Sequence, residues 1–300
     1  MSHTKPRFPP RLAISCCAIL WSTSGLFVKI IAWNPFVIAG ARSFFAALFM
    51  LLLQRCMRQS AAQPAAPQPS FMPPLVWLTG ITYSLTMILF VVANKLTASA
   101  NVIVLQYGAP VWAALFGALF IKEKPKWENG VSLFLIFAGL YIMLKDGFVS
   151  GGLLGNTLAA ASGVVFGMAT VFLRMQKNGR PQDGMILSHI ITVCICLPFM
   201  FIYTPALSIA PFFSIVYMGV FQVGLAAVLY AYGIKKVGAV PAMLISAIEP
   251  IFNPLWVFFA IGETPAPAAY TGGGIILAAV LFSNIIGWRR DRASRWGNAD

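Results

Sequence analysis

Long apolar stretches recur along this chain, each closed by a short group of polar or charged residues. A bilayer crossing needs about 20 apolar residues in a helix, and that length predicts spans at Leu12–Ile31, Pro35–Leu53, Pro74–Ala93, Ala98–Ile121 and Trp127–Leu144. Five more follow at Leu153–Leu173, Gly184–Tyr203, Pro211–Gly233, Ala239–Ile261 and Pro267–Trp288. The expected fold is an all-α integral membrane protein of ten transmembrane helices, five in residues 12–144 and five in residues 153–288. Residues 54–73 are rich in Ala, Pro and Gln without apolar periodicity and read as a solvated linker. Residues 1–11 and 289–300 read as polar tails.

The two halves also match each other. Written at an offset of 140 residues, Pro110 falls on Pro250, Leu115 on Leu255, Glu123 on Glu263 and Pro125 on Pro265, without a gap. The register reaches back to Lys95 on Lys235, Phe90 on Tyr230 and Thr82 on Gln222. With a shifted offset, Trp21 lies on Phe166 and Lys29 on Arg174. An odd number of spans per half sends the second half into the membrane from the opposite side, so the repeats are expected to be inverted, as in many transporters.

Composition agrees: 59% of residues are hydrophobic, 10% are charged and the mean hydropathy is +0.81, against roughly a quarter charged in soluble domains. The net charge of +13 would suggest a nucleic-acid partner in a soluble protein. Here all but Lys29, Arg42, Lys95 and Lys145 of the 21 basic residues fall in segments on one side of the expected topology, which places both termini in the cytoplasm and calls for no nucleic acid. The basic N-terminus and first apolar run resemble a signal peptide, but the run is too long, so it reads as the first span. Cys16, Cys17, Cys56, Cys194 and Cys196 show no metal-ligand spacing and read as small apolar residues.

Polar groups inside hydrocarbon are costly and mark functional candidates. Ser246, Glu249, Asn253 and Trp256 recur at spacings of three and four in the ninth span, which would place them on one helix face. Glu249 lies roughly 15 Å deep at 1.5 Å per residue. It can bind a substrate cation, carry a coupling proton or tie two helices together. Arg42 can neutralise it, grip a substrate carboxylate through its planar fork of donors or form a structural ion pair. His189 can relay protons, since imidazole titrates near neutrality, or simply pack. Trp21, Tyr83, Gln106, Tyr107 and Gln222 complete an expected cavity of aromatic walls and hydrogen-bonding groups. Glu123 and Glu263 end matching spans on opposite faces and are candidate gates. Gly163, Gly167 and the run Gly272-Gly273-Gly274 are expected at close helix approaches. No Walker-A, HExxH or nucleophile-elbow pattern is present, so no enzyme, cofactor or metal is expected.

Several of these features occur together in one family. The first-span pattern Leu-Trp21-Ser-Thr-Ser-Gly-Leu-Phe-Val-Lys29, Arg42 in the second span, the pair Glu249-Pro250 and the endings Ile-Lys-Glu123-Lys-Pro and Ile-Gly-Glu263-Thr-Pro resemble the EamA-type permeases of the drug/metabolite transporter superfamily. The likeness runs from about Leu12 to Trp288. Ser22 and Phe166 stand where the commoner pattern has Gly and Trp. The resemblance implies a secondary transporter working by alternating access in a bacterial inner membrane, exporting small metabolites; a site holding Arg42, Glu249 and aromatic walls suits amino acids. Import of an organic cation or nucleobase-like solute, and a non-transporting sensor or scaffold, are the alternatives.

Overall fold

The computed structural model describes residues 8–60, 73–97, 99–123, 126–144, 152–205, 208–261 and 267–296; the side chains of some helical residues, Asn253 among them, lie outside the described part. Its first half is built of α1 (Pro10–Trp21), α2 (Ser24–Ile30), α3 (Pro35–Ser60), α4 (Pro74–Leu96), α5 (Ser99–Gln106), α6 (Ala109–Phe120) and α7 (Trp127–Leu144). The second half has α8 (Leu153–Met175), α9 (Pro181–Ile202), α10 (Ile209–Tyr217), a π-helical segment Met218–Leu225, α11 (Ala226–Ile234), α12 (Ala239–Ser246), α13 (Glu249–Ile261) and α14 (Pro267–Trp296). Among the described residues, eight helical stretches are long and apolar enough to cross a membrane, and Trp127–Ile142 and Ala239–Phe252 are shorter apolar helices.

Four stretches expected as single spans are interrupted. α5 stops at Gln106 and α12 at Ser246, and two residues separate each from the start of α6 or α13. Pro110 and Pro250 are the second residues of those helices. A proline belongs in a first turn, where its missing N–H is no loss, and in continuing from the helix before it would clash with a carbonyl. α1 gives way to α2 at Ser22 and Thr23, whose hydroxyls bond back to the Ile19 and Leu20 carbonyls at 2.6 and 2.8 Å. Such side-chain bonds compete with the helix ladder. The fourth interruption is the π-helical segment, a form found mostly as short insertions at functional sites. Two helices overrun instead: α3 extends past Leu53 to Ser60 and α14 past Trp288 to Trp296. Neither extension contains Gly or Pro, so nothing stops the helix.

Side-chain bonds fix which helix ends lie together. At one end Lys29 Nζ donates to the Thr97 carbonyl at 3.0 Å, Lys95 Nζ to the Ile31 carbonyl, and the Thr97 hydroxyl to Asn156 Oδ1 at 3.0 Å. At the other, Arg174 reaches Glu123 and Arg11 donates to Asn284 at 3.0 Å. The first half therefore starts at the Glu123 end with Arg11 and the second at the Lys95 end with Asn156, so the repeats are inverted. The halves interlock: α4 packs on α8 and α9, α3 on α9 and the π-helical segment, and α7 on α14. A Cβ on Gly139 would stand 2.7 Å from the Gly272 carbonyl oxygen, so that pair is a close approach, whereas one on Gly274 meets nothing within 4 Å among the described residues.

Candidate functional site

Inside this frame the interrupted helices surround a small hollow lined by Trp21, Ser24, Arg42, Tyr83, Thr86, Met87, Phe90, Gln106, Phe166, Gln222, Val223 and Glu249. α1, α2, α3, α4, α5, α8, the π-helical segment and α13 all contribute, so both halves build it. Aromatic rings form a continuous wall: Trp21 lies 5.6 Å from Phe166 and 5.2 Å from Tyr230, centroid to centroid, and Tyr83 lies 6.2 Å from Phe166.

Arg42 is 1% exposed. Its Nη2 donates to the Met87 carbonyl at 3.3 Å and touches the Met87 sulfur at 3.6 Å, while Nε and Nη1 have no partner among the described residues. Glu249, 6% exposed, is the first residue of α13. Its Oε2 lies 3.1 Å from the Tyr107 hydroxyl, which also bonds the Ser246 carbonyl. Among the described residues no ion pair joins Arg42 to Glu249, although both face the same cavity. Trp21 Nε1, Ser24 Oγ and Gln222 Oε1, buried on the same walls, likewise have no partner there. Burying a guanidinium with unsatisfied donors is expensive, and so many open polar atoms around one hollow make it the candidate site for a polar ligand.

The structure thus brings Trp21, Arg42, Tyr83, Gln106, Gln222 and Glu249 to one cavity. Tyr107 stands behind Glu249. The Ser246 side chain points elsewhere, donating to the Ala242 carbonyl at 3.1 Å. Because α12 ends at Ser246, it and Glu249 do not share a continuous helix face, contrary to the spacing-based expectation. His189 is fully buried between α3 and α4, its Nδ1 3.5 Å from Ser43 Oγ and its ring 6.5 Å from Tyr83, off the cavity wall. Trp256 donates to Ser22 at 2.6 Å. The side chain of Asn253 and the whole of Glu263 lie outside the described residues.

Glu123 sits at the bundle end, where Arg174 Nε donates to it at 2.9 Å and Arg174 Nη1 donates to the carbonyls of Ile234 and Lys235 at 3.0 Å. One guanidinium thereby ties the ends of α6, α8 and α11. Beside it a larger hollow is lined by Arg11, Glu123, Arg174, Lys236 and Pro241 among others. Sequence reasoning did not assign Arg174 a role in this tie; its alignment with Lys29 was the available signal. Ser24 was also passed over, although it belongs to the polar run that follows Trp21.

This cavity in two interlocked inverted repeats matches a known architecture. The sequence profile of the EamA-like transporter family matches residues 11–145 and again 153–285. The chain belongs to the EamA-like transporter family. An uncharacterized transporter of Archaeoglobus fulgidus is 25% identical over 278 residues, 92% of this chain and 95% of that one. The uncharacterized transporter YwfM of Bacillus subtilis is 25% identical over 213 residues, 69% of this chain and 72% of its own length. Mouse solute carrier family 35 member G1 is 29% identical over 135 residues, 45% of this chain and 35% of the mouse protein. A solved crystal structure superposes with a TM-score of 0.76 at 18% identity, covering 92% of this chain and 97% of the other. At that identity the likeness concerns the fold. This EamA-like chain is a multi-pass membrane transporter of the drug/metabolite superfamily.

Proposed function

We propose that this EamA-like transporter is a proton-driven exporter of amino acids across a bacterial inner membrane, with ten crossings and both termini in the cytoplasm. The observation that carries this reading is a buried guanidinium with two open donors and a buried carboxylate facing one cavity without pairing to each other. A zwitterion satisfies both: its carboxylate on Arg42, its ammonium on Glu249, its apolar side chain against Phe90 and Phe166. Trp21, Tyr83, Gln106 and Gln222 orient the ligand, with Ser246 and Asn253 on the flanking turns. Glu249 exchanges the coupling proton for the substrate ammonium, and His189, behind Arg42, is a second proton-accepting group. Basic residues concentrate at the Glu123 end, which supports a cytoplasmic location for that end. Glu123 with Arg174 gates it, and Glu263, its repeat equivalent, gates the other.

The test is transport in proteoliposomes. Wild type should exchange aromatic or branched amino acids and accumulate them against their gradient when a pH gradient is imposed. Glu249→Gln should lose accumulation. If wild type moves organic cations or nucleobases and no amino acid, the zwitterion reading fails; if it moves no solute at all, a sensor or scaffold role replaces it.

A further inference from the structure

Tyr107 has one hydroxyl proton and two oxygen neighbours that lie within hydrogen-bond reach, the Ser246 carbonyl and Glu249 Oε2. A carbonyl oxygen and an ionised carboxylate are both acceptors only. Tyr107 O–H is within donating reach of both, and one proton cannot serve both acceptors at once. With Glu249 protonated both contacts are met as a directed chain, Glu249 O–H donating to Tyr107 and Tyr107 O–H donating to Ser246; with Glu249 ionised the two acceptors compete for the phenolic proton.

The ends of this chain sit on different structural pieces. Tyr107 lies in the interruption between α5 and α6, Ser246 is the last residue of α12 and Glu249 the first of α13. We propose that Tyr107 is a positioning residue that links proton occupancy of Glu249 to the join between the two helix interruptions; this rests on the reading of Glu249 as the coupling-proton site. With the proton held, Tyr107 pins the end of α12 to the first half. When the proton leaves for solvent, the carboxylate becomes an acceptor only, the single phenolic proton turns to it, and the Ser246 carbonyl loses its donor. The join to α12 opens while the contact to α13 persists, so the two pieces can move relative to each other.

The surroundings leave this chain to decide the outcome. Cys17 of α1 and Tyr83 of α4 are the other titratable groups near the carboxyl and Tyr230 of α11 is near Tyr107, all uncharged when protonated, and Arg42 of α3 is the charged side chain on the same cavity. Among the described residues, α1, α2 and α14, which pack on α13, add no charged group to the cavity.

The experiment is amide hydrogen exchange across pH, corrected for intrinsic rates, on the full-length protein in lipid, following peptides that span residues 105–112 and 245–252. Infrared spectroscopy in parallel follows the protonated-carboxyl band of Glu249, assigned by its absence in Glu249→Gln. In wild type, protection around Ala247 should drop about fivefold, the scale of one lost hydrogen bond, as the carboxyl band disappears. Glu249→Gln, whose amide still donates to Tyr107, should stay protected at every pH. Tyr107→Phe should show the unprotected rate throughout, with no step. A wild type without a step, a step retained in Tyr107→Phe, or a Glu249→Gln variant with the high-pH rate would each overturn the proposal. Should Tyr107→Phe fail to fold, the wild-type and Glu249→Gln arms still decide. If vesicles move no amino acid while the step is present, the substrate reading fails and the Tyr107 link stands; amino-acid transport driven by protons with no step sinks the link alone.

Discussion

Both halves interrupt their fourth apolar stretch at the same repeat position: α5 stops at Gln106 and α12 at Ser246, and Pro110 or Pro250 enters the first turn of the helix that follows. The local sequences then diverge. Where the second half has Glu249, the first has Ala109; where the first has Tyr107, the second has Ala247. Their neighbours diverge as well. On α8, a Cβ at Gly163 would lie 2.8 Å from the Gln106 carbonyl oxygen, and one at Gly167 2.8 Å from the Ala109 carbonyl oxygen. The first interruption is thus sealed backbone to backbone. Opposite the second, the register that pairs Trp21 with Phe166 puts Ala18 and Ser22 in place of those glycines, and Glu249 opens onto the cavity. Repetition supplies the frame, and the departures from it pack the backbone of the first interruption on α8 and put the carboxylate in the second, with Tyr107 reaching across from one to the other.

Transplanting the chemistry should fail most severely. Ala109→Glu puts a carboxylate where the residue is buried and its backbone packs on α8; an uncompensated buried charge costs roughly 3–5 kcal/mol. Loss of monodisperse folded protein in detergent is the expected result, and a variant with wild-type melting would show that the seal is loose. Gly163→Val is next: the added atoms press on the Gln106 and Leu105 carbonyls, and overpacking of this kind costs about 1–3 kcal/mol. Its melting temperature should fall clearly. Tyr107→Phe removes only the hydroxyl and should cost about 1 kcal/mol, a small shift in melting with a large effect on pH response. Trp256→Phe, which loses the 2.6 Å bond to Ser22, should cost about as little and leave the cavity walls intact.

Much of this contrast was written in residue types. Arg42, Glu249, Gln106 and Gln222 stand out because polar groups are rare within such apolar runs, which marks them as candidates for one cavity. The prolines at 110 and 250 also carried the interruptions, since a proline inside a helical pattern ends the helix before it. Reading each span as one cylinder of sufficient length hid that signal, and with it the fact that Ser246 and Glu249 belong to different helices. The tie from Arg174 to Glu123, and the bonds from Tyr107 to residues about 140 positions away, depend on how distant segments pack and leave no local pattern. The π-helical segment Met218–Leu225, which carries Gln222, has no sequence mark that we can name.

The most direct test of the central claim, that Arg42 and Glu249 hold the two ends of a zwitterion, is equilibrium binding to the purified transporter. A labelled amino acid would be competed by its amine lacking the carboxylate and by its acid lacking the ammonium, in wild type and in Arg42→Met. Wild type should prefer the zwitterion over either analogue by at least about tenfold, the scale of one unsatisfied buried polar contact. Arg42→Met should lose its preference over the amine while keeping its preference over the acid. Equal competition by the amine in wild type would contradict the assignment of Arg42 to the substrate carboxylate.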